Sequence, residues 1–232
     1  MFENFFFVGL PYITLLLFLG GSAYRAFTTM KSRFRGKPDW SVRGDFLWTT
    51  RSTGFFGRAS IGPATLCLHW GLVILILSHI LGFFGGGLNS PSLVEVFRWA
   101  GMFGGILLFY GASWAFVRRL TKPQLRAMST TEDYLVLLFL IVISGLGLYT
   151  SAVQLIFGLS YGLGPWLYGL LTFRPDPTLL SGFPLLAKLH LIVNFIFLAW
   201  FPFTKLVHMF SYPFGYITRP YISMRSYVAL KR

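Results

Sequence analysis

Four histidines are the residues of this chain whose type and spacing most clearly suggest chemistry. They are His69, His79, His190 and His208, two in each of two apolar stretches. Imidazole is the commonest metal ligand in proteins, and an ionisable side chain inside an apolar span is usually functional because placing it in lipid is costly. Interhelical hydrogen bonds or a proton relay are the alternatives, but four histidines arranged as two pairs favour metal ligation.

The spacing of the histidines excludes one shared metal ion. His69 and His79 are ten residues apart, about 15 Å along an α-helix, and His190 and His208 are eighteen apart, about 27 Å or five turns. On one continuous helix the second pair would lie on the same face. The i, i+4 spacing of a helical zinc site is absent, and the single cysteine, Cys67, excludes a disulfide, an iron–sulfur cluster and a thiolate zinc site within the chain. The pattern predicts two centres, each bridging the two helices.

The elements that carry these histidines are membrane spans. Of 232 residues, 55% are hydrophobic and only 12% are charged, about half the charged fraction of a soluble domain, and the mean hydropathy is +0.65. A span needs about 20 apolar residues. The sequence therefore predicts an all-α polytopic membrane protein, a single membrane domain over residues 1–232. Its five predicted spans are roughly 4–26, 63–86, 96–117, 133–156 and 186–212.

A further apolar stretch, 157–171, is interrupted by several glycines and by Pro165. We expect a short re-entrant or interfacial helix there instead of a sixth span. Trp166 and Tyr168 are its candidate anchors at the membrane interface, where aromatic side chains with one polar end are enriched.

The basic residues predict the orientation. All of the 20 lysines and arginines except Arg98, Arg174 and Lys188 fall on one side of the predicted spans. Positive residues collect on the cytoplasmic side, so we expect the N-terminus outside and the C-terminus in the cytoplasm, as an odd number of spans requires. The same bias explains the net charge of +13 without a nucleic-acid partner.

Orientation assigns the histidines to depths. His69 and His208 become the inner pair, and His79 and His190 become the outer pair. The two unequal intervals require a tilted or bent helix, and Pro202, between the histidines of the last span, is a candidate kink. Bis-histidine ligation leaves an iron without an open axial position, which suits two b-type haems that transfer electrons.

Sequence resemblance supports this interpretation. The stretches LCLHWGLVILILSHILGFF and LAKLHLIVNFIFLAWFPFTKLVHMFSYPFGYITRPY resemble the second and last spans of the gamma subunit of respiratory nitrate reductase, with its histidine intervals. FFFVGLPYITLLLFLGGSAYR resembles its first span, and LRAMSTTEDYLVLLFLIVISGLGLYT its third loop and fourth span. The resemblance covers nearly the whole chain.

The resemblance implies a dihaem cytochrome b of the prokaryotic cytoplasmic membrane. Such a subunit takes electrons from quinol (menaquinone or ubiquinone) near the outer haem and passes them inward to a cytoplasmic iron–sulfur subunit. It is an electron-transfer subunit and does not itself act on a soluble substrate. By position, His69 and His208 would hold the inner haem, and His79 and His190 the outer haem.

Some stretches depart from this family and leave the partner open. LVEVFRWAGMFGG contains only Arg98 where the nitrate reductase subunits carry a lysine implicated at the quinol site, and Ser78 replaces a glycine before the second histidine. GDFLWTTRSTGFFGRASIGPATLCLHWG is more similar to the cytochromes of sulfite-reductase-linked and high-molecular-weight cytochrome complexes. The catalytic partner is then either a molybdenum nitrate-reductase-like subunit or a heterodisulfide-reductase-like protein. In the second case, periplasmic cytochrome c and other membrane subunits are further candidate partners.

Secondary site candidates lie at both ends of the predicted haem pair. Lys205, Arg118 and Arg126 are candidate contacts for haem propionates at the inner end, although the positive-inside bias alone also accounts for them. Arg98 and Ser78 are candidate quinone contacts at the outer end, where a plain loop with an ion pair is the alternative. Residues 130–133 have the composition of a helix N-cap.

Two other functions remain open from the sequence. A transporter with a histidine proton relay is disfavoured because the acidic residues nearest the spans, Glu95, Glu132 and Asp133, all lie at span ends. A haem-bearing assembly factor is the other. Glycines beside the ligands, such as Gly71, suit either a flat macrocycle or a close helix contact.

Overall fold

The computed structural model describes residues 2–34, 58–88, 90–157 and 163–207. These residues form helices and short connections without any β-strand, which confirms the predicted all-α class for this part of the chain. His208 follows directly after the last described residue, so the fourth predicted ligand lies outside the described residues, as do residues 208–212 of the predicted fifth span.

Seven α-helices of more than one turn organise the described residues. They are α1 (Leu10–Phe34), α2 (Arg58–Gly87), α3 (Pro91–Thr121), α4 (Pro123–Met128), α5 (Thr131–Phe157), α6 (Leu163–Leu171) and α7 (Leu185–Trp200). A π-helical turn, Phe5–Gly9, leads into α1. Five segments are long and apolar enough to cross a membrane: Phe5–Arg25, Gly62–Gly87, Pro91–Thr121, Thr131–Phe157 and Leu185–Phe203. Five spans near the predicted positions are therefore confirmed by length and composition, although the third begins at Pro91 and the fifth ends at Phe203, short of the predicted residue 212.

Local chemistry explains where the site-bearing helices begin. Ser90 has an extended backbone conformation, and Pro91, at the first helical position of α3, supplies a φ angle already suited to a helix. At the start of α5, the backbone N–H and the hydroxyl of Thr130 both donate to the Asp133 carboxylate, at 2.9 and 3.0 Å. The N-cap predicted at residues 130–133 is confirmed.

The last span does not continue as one helix, and the expected five continuous turns between His190 and position 208 are wrong. Helix α7 ends at Trp200 because Pro202 lacks an N–H and its ring clashes with the carbonyl of the preceding turn. Two 3₁₀ turns follow, Phe201–Phe203 and Lys205–Val207, separated by Thr204 in an extended conformation. The kink predicted at Pro202 is thus a full break. The expectation that residues 190 and 208 share one face of a continuous helix therefore does not hold.

The helices pack in the order α2, α3, α5, α7, α1, each along the next. The α2–α3 contact is close because a Cβ on Gly71 would lie 2.5 Å from the Leu108 nitrogen, and one on Gly111 would lie 2.6 Å from the Ala64 oxygen. Gly71 therefore serves a close helix contact, which decides between its two interpretations. Within the described ranges, α2 and α7, the helices that carry His69, His79 and His190, do not pack along each other.

Helix α6 confirms the short helix predicted within 157–171. Trp166 is only 2% exposed and packs with Leu170 and Leu180, and its indole N–H donates to the Phe7 carbonyl at 3.1 Å. The prediction that Trp166 anchors the chain at the membrane interface is therefore wrong, because protein covers the side chain. Tyr168, at 70% exposure, has the accessibility expected of an interface residue.

Candidate functional site

The two histidines of α2 are oriented by their own helix. Nδ1 of His69 lies 2.8 Å from the carbonyl oxygen of Thr65, and Nδ1 of His79 lies 2.8 Å from that of Leu75. A carbonyl only accepts, so Nδ1 carries the proton and the lone pair is on Nε2 in both rings. This arrangement, with one ring nitrogen donating to a backbone carbonyl, is the usual second interaction of a metal-bound histidine.

Both α2 imidazoles are exposed, on a helix that protein covers only sparsely. The membrane-spanning window of α2 is 11% buried, compared with 33% for α3, because α2 makes its main contact with α3 alone. His69 and His79 are therefore accessible to a large group beside α2. An exposed histidine in a membrane span is costly unless a ligand or partner satisfies it.

His190, the third described ligand candidate, is half-buried and is positioned by two helices. Its ring lies within hydrogen-bonding reach of the backbone carbonyl of Ile143 in α5, and it interacts electrostatically with His79. The amide nitrogen of Asn194 lies 3.3 and 3.4 Å from the two ring nitrogens and donates to the His190 carbonyl at 2.6 Å. His79 and His190 are thus near enough to interact electrostatically, and their pairing as haem ligands stays a prediction.

Gly147 of α5 gives the His190 ring its space. A Cβ at this position would lie 3.0 Å from Cε1 and 3.5 Å from Nε2 of His190. Sequence reasoning missed Gly147, Ile143 and Asn194. Asn194 follows His190 by one helical turn, which is a readable signal, whereas a glycine on a different helix cannot be linked to His190 without the packing.

The donor set fits b-type haem better than a bare metal ion. No group of three or more histidine, cysteine, aspartate or glutamate side chains within the described ranges is arranged to hold a metal ion. A haem needs only two axial imidazoles, one from each side, because the porphyrin nitrogens supply the other ligands. Three observations agree with that requirement. His69 and His79 have the same tautomer, His79 lies near enough to His190 to interact with it, and Gly147 leaves space beside the His190 ring.

At the inner end, the three candidate propionate contacts have different surroundings. Arg118 is buried at 7% exposure, whereas Arg126 is exposed in the last turn of α4. The Lys205 ammonium lies 2.9 Å from both carboxylate oxygens of Asp133. Asp133 thus offers Lys205 a partner within the protein, and the propionate role of all three stays a prediction.

At the outer end, the candidate quinone contacts lie on neighbouring helices. Arg98 forms an ion pair with Glu95, which also accepts the indole N–H of Trp99 at 3.1 Å. Ser78 is 5% exposed, lies against Gly101 of α3 and donates its hydroxyl to the Leu75 carbonyl. Their quinone role stays a prediction, and the ion pair expected in the alternative interpretation is present.

Known proteins are similar to this chain over nearly its whole length, including the helices that carry the candidate site. The family model for the nitrate reductase gamma subunit matches residues 3–227. The chain is 28% identical over 226 residues to the nitrate reductase gamma chain of Bacillus subtilis, covering 93% of this chain and 95% of that protein. It is 28% identical over 232 residues to the respiratory nitrate reductase 1 gamma chain of Escherichia coli, covering 96% of each.

A third relative is larger. The chain is 27% identical over 240 residues to the nitrate reductase-like protein NarX of Mycobacterium tuberculosis, covering 97% of this chain but 34% of that protein. The match with the family model extends from the first span through the segment that contains all four histidines. The chain belongs to the nitrate reductase gamma subunit family.

Proposed function

We propose that this chain is a dihaem b membrane subunit that exchanges electrons between the quinone pool and a cytoplasmic iron–sulfur subunit of a nitrate-reductase-type complex. The observation that carries the proposal is the matched orientation of His69 and His79, whose Nδ1 protons are both held by backbone carbonyls one turn earlier. The names of the relatives favour a nitrate-reductase-type partner over the sulfite-reductase-linked alternative.

The residues of the chain would hold and orient the redox centres. Haem, when bound, supplies one-electron chemistry between its ferric and ferrous states. His69 with His208 would hold the inner group, and His79 with His190 the outer one. The carbonyls of Thr65 and Leu75 would fix the α2 ligands and make their imidazoles more electron-donating.

With two histidines assigned to each haem, the groups would supply electron transfer and would not bind quinol at the metal. The two α2 ligands, His69 and His79, are ten residues apart, about 15 Å along the helix. The chain would lie in the prokaryotic cytoplasmic membrane, with its N-terminus outside and the inner pair nearest the cytoplasmic partner.

Haem content of single-histidine variants tests the proposal. We expect the purified protein to show b-type absorption bands, His79→Ala to lose the outer haem while keeping the inner one, and His69→Ala to show the reverse. Trp70→Leu, an exposed change beside His69, serves as the control and should keep both haems. Purified unaltered protein without haem would refute the proposal.

Quinol-dependent reduction of the haems separates the electron-transfer function from the assembly-factor alternative. We expect a short-chain quinol to reduce both haems in membranes and a quinone-site inhibitor to block that reduction. A flux assay in proteoliposomes without a redox donor addresses the transporter alternative, and we expect no flux there.

The orientation has a separate test. With Cys67→Ala as the background, Arg174→Cys introduces a single thiol in the loop between α6 and α7. A membrane-impermeant maleimide applied to intact spheroplasts should label it. Labelling only after the membrane is opened would reverse the proposed orientation without affecting the haem assignment.

A further inference from the structure

A buried arginine holds the point where α7 is broken. Arg25 of α1 is 8% exposed, and its Nη1 donates to the carbonyl oxygens of Pro202 at 2.6 Å and Thr204 at 3.0 Å. Carbonyls at the end of a helix lose their intrahelical partners and need other donors. Arg25 therefore satisfies backbone oxygens that the Pro202 break exposes.

The first turn of α5 holds the same segment from the opposite side. The Glu132 carboxylate accepts the backbone N–H of Lys205 at 2.6 Å. The Lys205 ammonium lies 2.9 Å from both Asp133 oxygens and 3.1 Å from the Thr130 hydroxyl. Asp133 also caps α5, so the 3₁₀ turn Lys205–Val207 is fixed to the start of that helix.

Apolar contacts complete the attachment. Phe201 and Val207 belong to the main core cluster, at 7% and 4% exposure, and Thr204 is 1% exposed. Gly21 of α1 permits a close approach, because a Cβ there would lie 3.0 Å from the Cβ of Pro202. We call the polar groups Arg25, Glu132, Asp133 and Lys205 the Pro202 cluster.

We propose that the Pro202 cluster supports the inner haem by fixing Phe201–Val207, the segment that leads directly to the proposed ligand His208. Val207 is the last described residue, and His208 follows it in the sequence. A continuous helix would have positioned both ligands of the last span through its own rigidity. Since α7 ends at Trp200, the cluster on α1 and α5 must supply that rigidity. This inference rests on the proposed dihaem function.

The alternative is that the cluster only stabilises the bundle as a whole. The two roles differ in what they predict for the two haems, because the outer ligands lie on α2 and α7, away from the break. A positioning role affects the inner haem alone, whereas a general structural role lowers the content of both haems together.

Haem-resolved spectroscopy on the full-length chain in membranes tests the inference. We expect Arg25→Gln to weaken retention of the inner haem by about 10- to 100-fold, the range for losing a supporting partner of a metal-bound histidine, or to shift its midpoint potential and low-spin EPR signal. The outer haem should remain at full content. Glu132→Gln should have the same selectivity, and Arg25→Lys should restore part of the inner haem because one donor returns.

Arg174→Gln is the matched control, because it removes the same charge from an exposed position outside the spans. It should leave both haems unchanged. Two results would show that the positioning role is wrong while the dihaem proposal stands. In the first, the unaltered protein holds both haems and Arg25→Gln changes neither. In the second, Arg25→Gln and Glu132→Gln lower the content of both haems equally. Absence of haem from the unaltered protein would instead refute the proposed function.

Discussion

Replacing Gly147 with alanine is expected to displace His190 from its ligand position without weakening the fold. In the structure, the new Cβ would lie 3.0 Å from the His190 Cε1 atom. Carbon atoms pack best at about 3.5–4.0 Å, so the ring must retreat by a few tenths of an ångström. Metal–ligand distances hold to within about 0.2 Å, so this displacement is enough to weaken an iron–imidazole bond.

Helix stability changes in the opposite direction. Alanine is better than glycine in a helix interior by about 1 kcal/mol, so α5 itself should be stabilised. Loss of haem from this variant would then have a local cause, namely the steric contact with the imidazole. We expect the outer haem to be lost or to shift in midpoint potential, and the inner haem to keep its own.

A redox titration of the haem absorption bands in membranes measures this effect, together with haem content per chain. Gly145→Ala is the matched control on the same helix, since its Cβ would meet the Phe109 ring at an ordinary 3.5 Å. If Gly147→Ala titrates with two unaltered potentials and full haem content, as the control should, His190 does not serve as a ligand in the geometry described.

Three more outcomes follow from the packing and the polar contacts. Gly111→Ala inserts a Cβ 2.6 Å from backbone atoms of α2, so it should lower the free energy of unfolding by about 1–3 kcal/mol and reduce the content of both haems. Gly86→Ala places its Cβ in open space and should change neither quantity. Equal melting temperatures for the two variants would contradict the tight α2–α3 contact. Asp133→Ala removes the cap of α5 and should lower the free energy of unfolding by about 0.5–2 kcal/mol. An unchanged melting temperature would argue against that cap. Hydrogen bonds from the Thr178 hydroxyl and backbone N–H hold the pKa of Asp176 below its usual range. Because the folded-state pKa is depressed, the stabilisation is present above a pH of about 4 and is lost as the pH falls through the folded pKa. Below a pH of about 4 the melting temperature of Asp176→Asn should therefore depend less on pH than that of the unaltered protein.

The spans were predictable because each rests on local sequence, and the histidines could be recognised as candidate ligands for the same reason. A run of apolar residues reports a membrane span directly, and a histidine within it is visible without any knowledge of packing. The N-cap before α5 was predictable for the same reason. The end of α7 at Trp200 was only half predictable: Pro202 indicated a bend, but the sequence did not show that Arg25 would satisfy the carbonyls and make a complete break stable.

Contacts between distant segments account for the remaining differences. Trp166 has the composition of an interface anchor, yet its indole N–H finds the Phe7 carbonyl inside the bundle. Lys205 stays a candidate propionate contact, and its ammonium also lies against Asp133, a residue of another helix. In both cases the side chain met a partner far away in sequence, and single-sequence periodicity holds no information on such pairs.

The two helices that carry the candidate ligands are supported in different ways, and α5 accounts for the difference. On α2 each imidazole is fixed by a carbonyl one turn earlier on the same helix, so its orientation depends little on the neighbours. On the last span, His190 is positioned by Ile143 and Gly147, and the segment before His208 is held by the first turn of α5. Helix α5 contains no histidine, yet it contacts the supports of both ligands of that span. Substitutions in α5 should therefore alter the two haems separately, its first turn acting on the inner haem and the region of Gly147 on the outer one.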